Sequence, residues 1–361
     1  VGKGTPSVRY LPVYAAKRLK DTCRAIFPAD VEGFLTALLT GDKQDLSYAE
    51  KNDLSCSGVY HVVAVSGMHV SLLAGLVMLL CANRRLTSAA LGIPLVWFFV
   101  LLTGANASSV RAGVMQTLLF ASGLARRERD PWTSFSAALL VLLAENPWSL
   151  RNVGLLLSFA STGGILLFAK PLYHAMAESK GYVHLEDNHP RLARCLKPGI
   201  TAICCSLASS AFSLPICAVY FQMVSVSGFL TNALCLWLVS LIFSAGLVTA
   251  ALGCLWPALG LGPAWLLAWP ARLVLWIVRG TANVPYGAVS LENPYACIWT
   301  VFFFLTVWII CLRPKRVRCV AAIAALAGTF ALCMGLSALD YKSPDFTFTA
   351  LDVGQGQCLI Y

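Results

Sequence analysis

Long apolar runs broken by short polar interruptions dominate this chain. Residues 86–103, 200–221, 229–256, 296–312 and 319–339 carry almost no charge, and each is close to the roughly 17 to 25 residues that a helix needs to cross a bilayer. Extending the reading to shorter, more interrupted runs gives about ten spans: 59–82, 86–103, 110–125, 134–148, 152–169, 200–221, 226–256, 263–280, 296–312 and 319–339. The fold class predicted is an all-α polytopic membrane protein with some interrupted helices. A short β-hairpin start is expected at the C-terminus.

The charges between the spans orient them. Arg84 and Arg85, then Arg126, Arg127 and Arg129, then Arg313, Lys315, Arg316 and Arg318 fall on one side of the alternation. The loop from Lys170 to Gly199, with Lys180, Arg191, Arg194 and Lys197, falls on the same side, whereas 104–109 and 281–295 hold no Lys or Arg. Short loops rich in Lys and Arg stay in the cytoplasm. An even number of spans then puts residues 1–58 and the tail from Asp340 on the extracytoplasmic side.

Composition agrees. Hydrophobic residues make up 58% and charged residues 12% of 361 positions, against roughly half and a quarter in soluble domains. The net charge of +10 follows largely from the cytoplasmic loops and by itself says little about an anionic partner. Most of the fourteen cysteines lie in apolar runs and none forms a CxxC pair, so they read as small buried hydrophobes. No metal and no cofactor is expected. The first residues show no signal-peptide pattern. The chain opens on Val1 and stops at Tyr361 inside an apolar run, which suggests a piece of a longer protein.

Within the first 58 residues, Tyr10–Phe27 sets Lys17, Arg18, Lys20 and Arg24 among Leu11, Val13, Leu19 and Ile26. That amphipathic basic pattern suits a helix lying on the membrane surface or an ordinary surface helix. If the segment faces an oxidising compartment, Cys23 and Cys56 are candidates for a disulfide.

The chemistry concentrates in Gly58-Val-Tyr-His-Val-Val-Ala-Val-Ser-Gly-Met-His69. Ionisable and polar groups inside a span are costly and usually functional. On a helix His61 and His69 lie about 80° apart and share a face, and Ser66-Gly67 offers a break. A broken helix is tolerated at membrane depth only where its freed backbone is buried in protein or lines a wet cavity. Two readings stand: the histidines line a path, or they hydrogen-bond neighbouring helices.

This block resembles the signature of the ComEC competence family, a Gly-x-x-His element leading into an Ala-Val-Ser-Gly-x-His core, here Gly58, His61 and Ala64–His69. The resemblance continues in Glu32-Gly33, Ala37–Asp42 and Leu46-Ser47 upstream. Downstream it takes in Gly104, Ser109, Arg111-Ala112, Met115, Asn146-Pro147, Gly154, Leu157–Ala160, Leu214-Pro215, Phe221 and Asn232. It covers about residues 10–361.

The resemblance implies a channel in the bacterial cytoplasmic membrane that imports single-stranded DNA during natural transformation. His61, Ser66, Gly67, His69, Asn106, Ser109, Arg111 and Asn232 are then the candidate DNA path, lining a pore without catalysing a reaction. Arg111 opens an apolar span behind Asn106, Ser108 and Ser109; it either snorkels to the interface or meets phosphates at the outer mouth. Asn232, on a helix with Gly228, Ala233 and Ser240, is expected to face the bundle interior. Pro215 is expected to kink its helix.

Domains implied are an extracellular segment 1–58, a transmembrane channel domain 59–339, and 340–361 as the first strands of a metallo-β-lactamase-like domain. In that tail Phe346–Asp352 alternates apolar and polar residues before Gly354-Gln-Gly356, a strand–turn–strand pattern. Gln357 stands where the family has an acid, and the metal ligands of that domain are absent from the sequence, so no nuclease activity is expected. Implied partners are single-stranded DNA, the lipid bilayer, a DNA receptor, a cytoplasmic DNA-translocating ATPase and a second copy of the chain; no P-loop is present to supply energy. Two rival readings are a secondary transporter of a small solute and an intramembrane hydrolase pairing Ser66 with His61 or His69.

Overall fold

The computed structural model describes residues 10–82, 84–125, 130–177, 188, 190–221, 223–225, 227–284, 288–290, 295, 298–299, 302–303, 305–306, 319–340, 349–352 and 357–360. Most of the span 296–312 lies outside them, as do Arg126, Arg127, Arg129, Lys180, Arg313, Lys315, Arg316, Arg318 and the turn at Gly354–Gly356. Contacts divide the chain into two units, Val1–Ser290 and Leu291–Tyr361.

The first unit is built from helices. α1 (Leu11–Ile26), α2 (Glu32–Thr40) and α3 (Tyr48–Cys56) precede α4 (Gly67–Leu80), α5 (Arg85–Leu102), α6 (Ala107–Leu124) and α7 (Pro131–Glu145). α8 (Val153–Gly164) runs through a π-helical segment, Ile165–Ala169, into α9 (Lys170–Ala177), and α10 (Pro190–Tyr220), α11 (Gly228–Leu255) and α12 (Pro257–Ala282) follow. Two three-residue strands, β1 (Met223–Ser225) and β2 (Ala288–Ser290), pair antiparallel. In the second unit α13 (Cys319–Asp340) precedes the antiparallel pair β3 (Thr349–Asp352) and β4 (Gln357–Ile360), so the strands expected in the tail are present.

Local signals set the helix starts. Asn106 accepts from Ser109 N–H at 2.9 Å to cap α6. Asp130 accepts from Trp132 and Thr133 N–H ahead of Pro131 to cap α7, and Asn152 caps α8. Each supplies a side-chain oxygen to donors that a helix's first turn leaves orphaned. Between α5 and α6 the chain turns through Gly104 and Ala105, both at positive φ.

Five helices among the described residues are long and apolar enough to cross a membrane: Arg85–Leu102, Val153–Ala177, Leu196–Tyr220, Leu230–Leu255 and Pro257–Ala282. They coincide with predicted spans. The faces they turn outward are apolar: on α12 Trp265 is 60%, Trp269 57% and Trp276 73% exposed. Water would penalise such a surface and lipid would not. The protein is an all-α polytopic membrane protein.

Small residues let the helices close on one another. A Cβ at Gly92 would lie 2.5 Å from the Phe120 ring, and one at Gly113 3.3 Å from Val100, locking α5 against α6. Trp97 Nε1 donates to Thr117 Oγ1 across the same contact at 3.0 Å. α10 passes through Pro198 and Pro215 as one 31-residue helix.

The N-terminal helices belong to this bundle. α2 is buried from Phe34 to Thr40, and a Cβ on Gly246, within α11, would touch Leu39 at 3.4 Å. α1 docks through Leu19, Cys23 and Ile26, leaving Tyr10, Leu11, Val13 and Tyr14 exposed. Lys20 bonds Asp42 at 2.7 Å, Arg24 bonds Asp45 at 2.6 Å, and Arg272 holds Asp30 with two bonds. The candidate disulfide is absent: Cys23 and Cys56 are free thiols. Cys23 faces the core, fully buried, whereas Cys56 is half-buried beside Asn52.

Candidate functional site

The predicted span 59–82 is broken where Ser66-Gly67 suggested. Gly58, at φ 75°, permits a backbone approach to α11, since a Cβ there would lie 2.9 Å from Gly228 Cα. A single 3₁₀ turn follows at Tyr60–Val62, the chain straightens, and α4 starts at Gly67 with Ser66 extended at φ −121° and ψ 175°. The break is level with the middle of α11: Met68 Sδ lies 3.8 Å from Ser240 Oγ, and the His69 ring meets Phe243 edge-on at 4.7 Å. These contacts lie about 18 to 22 Å from the two ends of that helix at 1.5 Å per residue. α2 also ends here, for a Cβ at its terminal Gly41 would strike Val65 at 2.9 Å. Two half-helices of opposite polarity thus meet at Val65.

Ser66 and His69 form the reverse half of a capping box with histidine at the third helical position. His69 Nδ1 accepts the Ser66 N–H at 3.1 Å and lies 3.2 Å from Ser66 Oγ. Because Nδ1 accepts, the ring proton belongs on Nε2, and that atom is buried without a hydrogen-bond partner. His61 differs: its side chain is exposed at the surface of the bundle.

α6 supplies the other wall. Asn106 Nδ2 donates to the Val65 carbonyl at 3.4 Å, and Ser109, fully buried, donates to Asn106 O at 2.9 Å. One turn further, Arg111 is only 7% exposed. It does not extend to an interface; Nη1 donates to Thr162 Oγ1 of α8 at 2.5 Å. Its remaining neighbours are Met115 Sδ at 3.7 Å and the Phe159 ring at 5.6 Å. Nη2 packs on the break itself, 2.8 Å from where a Gly67 Cβ would be, and Nε has no partner. α4, α6 and α8 contain no Asp or Glu, and Asp42, which follows Gly41 at the end of α2, is paired with Lys20, so no carboxylate on these helices balances the guanidinium.

The structure therefore gathers Ser66, Gly67, His69, Asn106, Ser109 and Arg111 around one helix break. Asn232 sits elsewhere, in the first turns of α11 next to the Gly58–Gly228 approach, buried with Oδ1 unpartnered. Other polar residues join α6 to its neighbours. Ser108 pairs with Ser158 at 2.9 Å, one helical turn before the Arg111–Thr162 rung, and Gln116 Nε2 donates to Ser71 Oγ of α4 at 2.9 Å. Of the additions, Ser158 lies in the Leu157–Ala160 stretch of the family resemblance, whereas Thr162, Gln116 and Ser71 stand out only as polar residues within apolar runs. Among the described residues no cluster of His, Cys, Asp or Glu is arranged to hold a metal ion.

A family model described as "Competence protein" matches residues 38–316. ComE operon protein 3 of Bacillus subtilis (strain 168) is 24% identical over 367 residues, covering 97% of this chain and 43% of that protein. Uncharacterized protein YcaI of Escherichia coli (strain K12) is 23% identical over 368 residues, covering 96% of this chain and 45% of its own length. The chain thus spans less than half the length of these relatives. No solved structure matches it. With the matched residues running from α2 past the whole of α12 and enclosing the Gly58–His69 signature, the chain belongs to the competence protein family, as a ComEC-like member.

Proposed function

We propose that this bundle forms the membrane channel through which single-stranded DNA enters the cell during natural transformation. The observation that carries the reading is the density of polar pairs along α6. Over about 15 Å of that helix, Asn106–Val65 and Gln116–Ser71 tie it to the α4 segment, the second of them at the surface, while Ser108–Ser158 and Arg111–Thr162 tie it to α8. Polar groups in lipid are expensive and are kept where they serve a path. The broken helix between Gly58 and Gly67, with His61 exposed on it, supports the same reading. A polyanion also needs a passage free of fixed negative charge, and α4, α6 and α8, which carry these pairs, contain no Asp or Glu.

In this reading the residues act as lining and do not catalyse. Ser66 and His69 are within hydrogen-bonding reach, but among the described residues no carboxylate orients the imidazole as a nucleophile–base pair requires. Both termini face the outside, a DNA receptor delivers the strand, and a cytoplasmic ATPase pulls it. A second copy of the chain is a further expected partner.

The test is transformation frequency at matched membrane abundance for Arg111→Ala, His69→Ala and the lipid-side change Leu101→Ile. The first two are expected to fall at least tenfold while Leu101→Ile stays at wild-type level. Three equal frequencies would remove the lining assignment.

A further inference from the structure

Arg111 poses an electrostatic problem that its own chain does not solve. Arg111 is 7% exposed, and among the described residues it makes no salt bridge and donates only to a threonine hydroxyl and a thioether. A buried charge of this kind normally carries a counter-ion. The group beside it makes matters worse: Nη2 packs on Gly67, the first residue of a 14-residue helix, whose N-terminus bears about half a positive charge.

The N–H groups of Gly67 and Met68 head that helix and by position lack intrahelical acceptors. Two sources of positive potential thus converge with two kinds of unused donor: the Nε of Arg111 and the leading backbone amides. Helix N-termini of this sort hold oxyanions, and the guanidinium fork matches tetrahedral oxyanions in a way that it does not match a halide. The polar residues first expected to share this task are engaged elsewhere. Asn106 caps α6 and ties down Val65, Ser109 bonds Asn106, and Ser108 pairs with Ser158.

We propose that Arg111 and the first turn of α4 form a site for a single phosphate oxyanion, with Gly67 kept side-chain-free so that the guanidinium can lie against the helix terminus. That the occupant is a backbone phosphodiester rests on the DNA-uptake reading; that an oxyanion sits here rests on the geometry alone. Thr162 orients the guanidinium by accepting from Nη1 while its own hydroxyl donates to Ser158 O at 2.9 Å. A strand passing this point would be held by one phosphate at a time, which suits transit better than a row of contacts.

The experiment uses the full chain purified in detergent. Thermal unfolding is followed against inorganic phosphate and against dimethyl phosphate, with chloride at equal ionic strength as reference. The wild-type midpoint is expected to rise by about 3 °C near saturation, with both probes. Arg111→Gln should abolish the rise, and Gly67→Ala, which keeps the charge and fills the space, should do the same. Lys17→Gln, a change at an exposed cation on α1, should leave the rise intact. A response to inorganic phosphate alone would place a free anion here and overturn the phosphodiester assignment. No wild-type response, or an equal response in all four proteins, would overturn the site itself. Transformation frequency separates this outcome from the broader reading. Phosphate binding lost in Arg111→Gln with uptake unchanged would sink the DNA path and keep the anion site. Uptake lost without any phosphate response would do the reverse.

Discussion

At the scale of single residues, the spacing Ser66-x-x-His69 has two physical readings, a nucleophile beside a base or a helix cap, and periodicity cannot choose between them. The dihedrals of Ser66 and the bond from its N–H to His69 Nδ1 show a cap. Arg111 was legible as an unusual charge at the head of an apolar span, but its partner Thr162 was not, since 51 residues separate them. Replacing Thr162 with Val should leave Nη1 with only a sulfur contact. The expected cost is about 1 to 3 kcal/mol, read as a lowered unfolding midpoint in detergent, with Thr162→Ser restoring most of it. An unchanged midpoint for Thr162→Val would mean that the rung contributes nothing.

Between helices, the close contacts fall at glycines whose role no apolar pattern reveals. Gly92→Ala would drive a methyl into the Phe120 ring, and overpacking of that kind typically costs about 1 to 3 kcal/mol. Gly123→Ala, with open space beside it, serves as the neutral comparison; equal midpoints for the two would argue against the tight α5–α6 contact.

The docking of α1 makes a pH prediction. At Asp42 and Asp45 burial opposes ionisation, but the bonds from Lys20 and Arg24 outweigh it and hold both carboxyls below the ordinary carboxylate value. A lowered pKa in the docked state means that undocking takes up protons. The stabilisation is therefore complete above the unfolded carboxylate range of about 4 and is lost as pH falls through the lower docked values. Hydrogen exchange of the α1 amides, corrected for its intrinsic rate, should be unchanged from about pH 7 to about pH 5 and accelerate as the pH falls below about 4. Asp45→Asn should show the faster exchange already at neutral pH.

For the whole molecule, the charge pattern of the connections carries the orientation. A phosphatase that folds only outside the cytoplasm should be active when fused after residue 105 and inactive when fused after residue 186. The opposite result would invert the topology on which the direction of DNA entry rests. Five of the predicted spans coincide with the long apolar helices, and 110–125 and 134–148 with α6 and α7. Burial of α2 was not legible: nine residues, Glu32–Thr40, are too few for a span, and only their packing against α11 shows that they belong inside the bundle.

The sequence by itself determined that the chain lives in a bilayer, where its apolar runs lie, where the first of them must break, and which family it belongs to. Hydrophobic length and the local chemistry of Ser-Gly act over a few residues and can be read in order along the chain. Only the tertiary structure decided that Arg111 rests on Gly67, that α2 and α4 meet end to end at Val65, and that Asn232 stands apart. Those outcomes depend on which helix faces which. Lipid-facing and buried faces are equally apolar, so the pattern along the chain does not distinguish them.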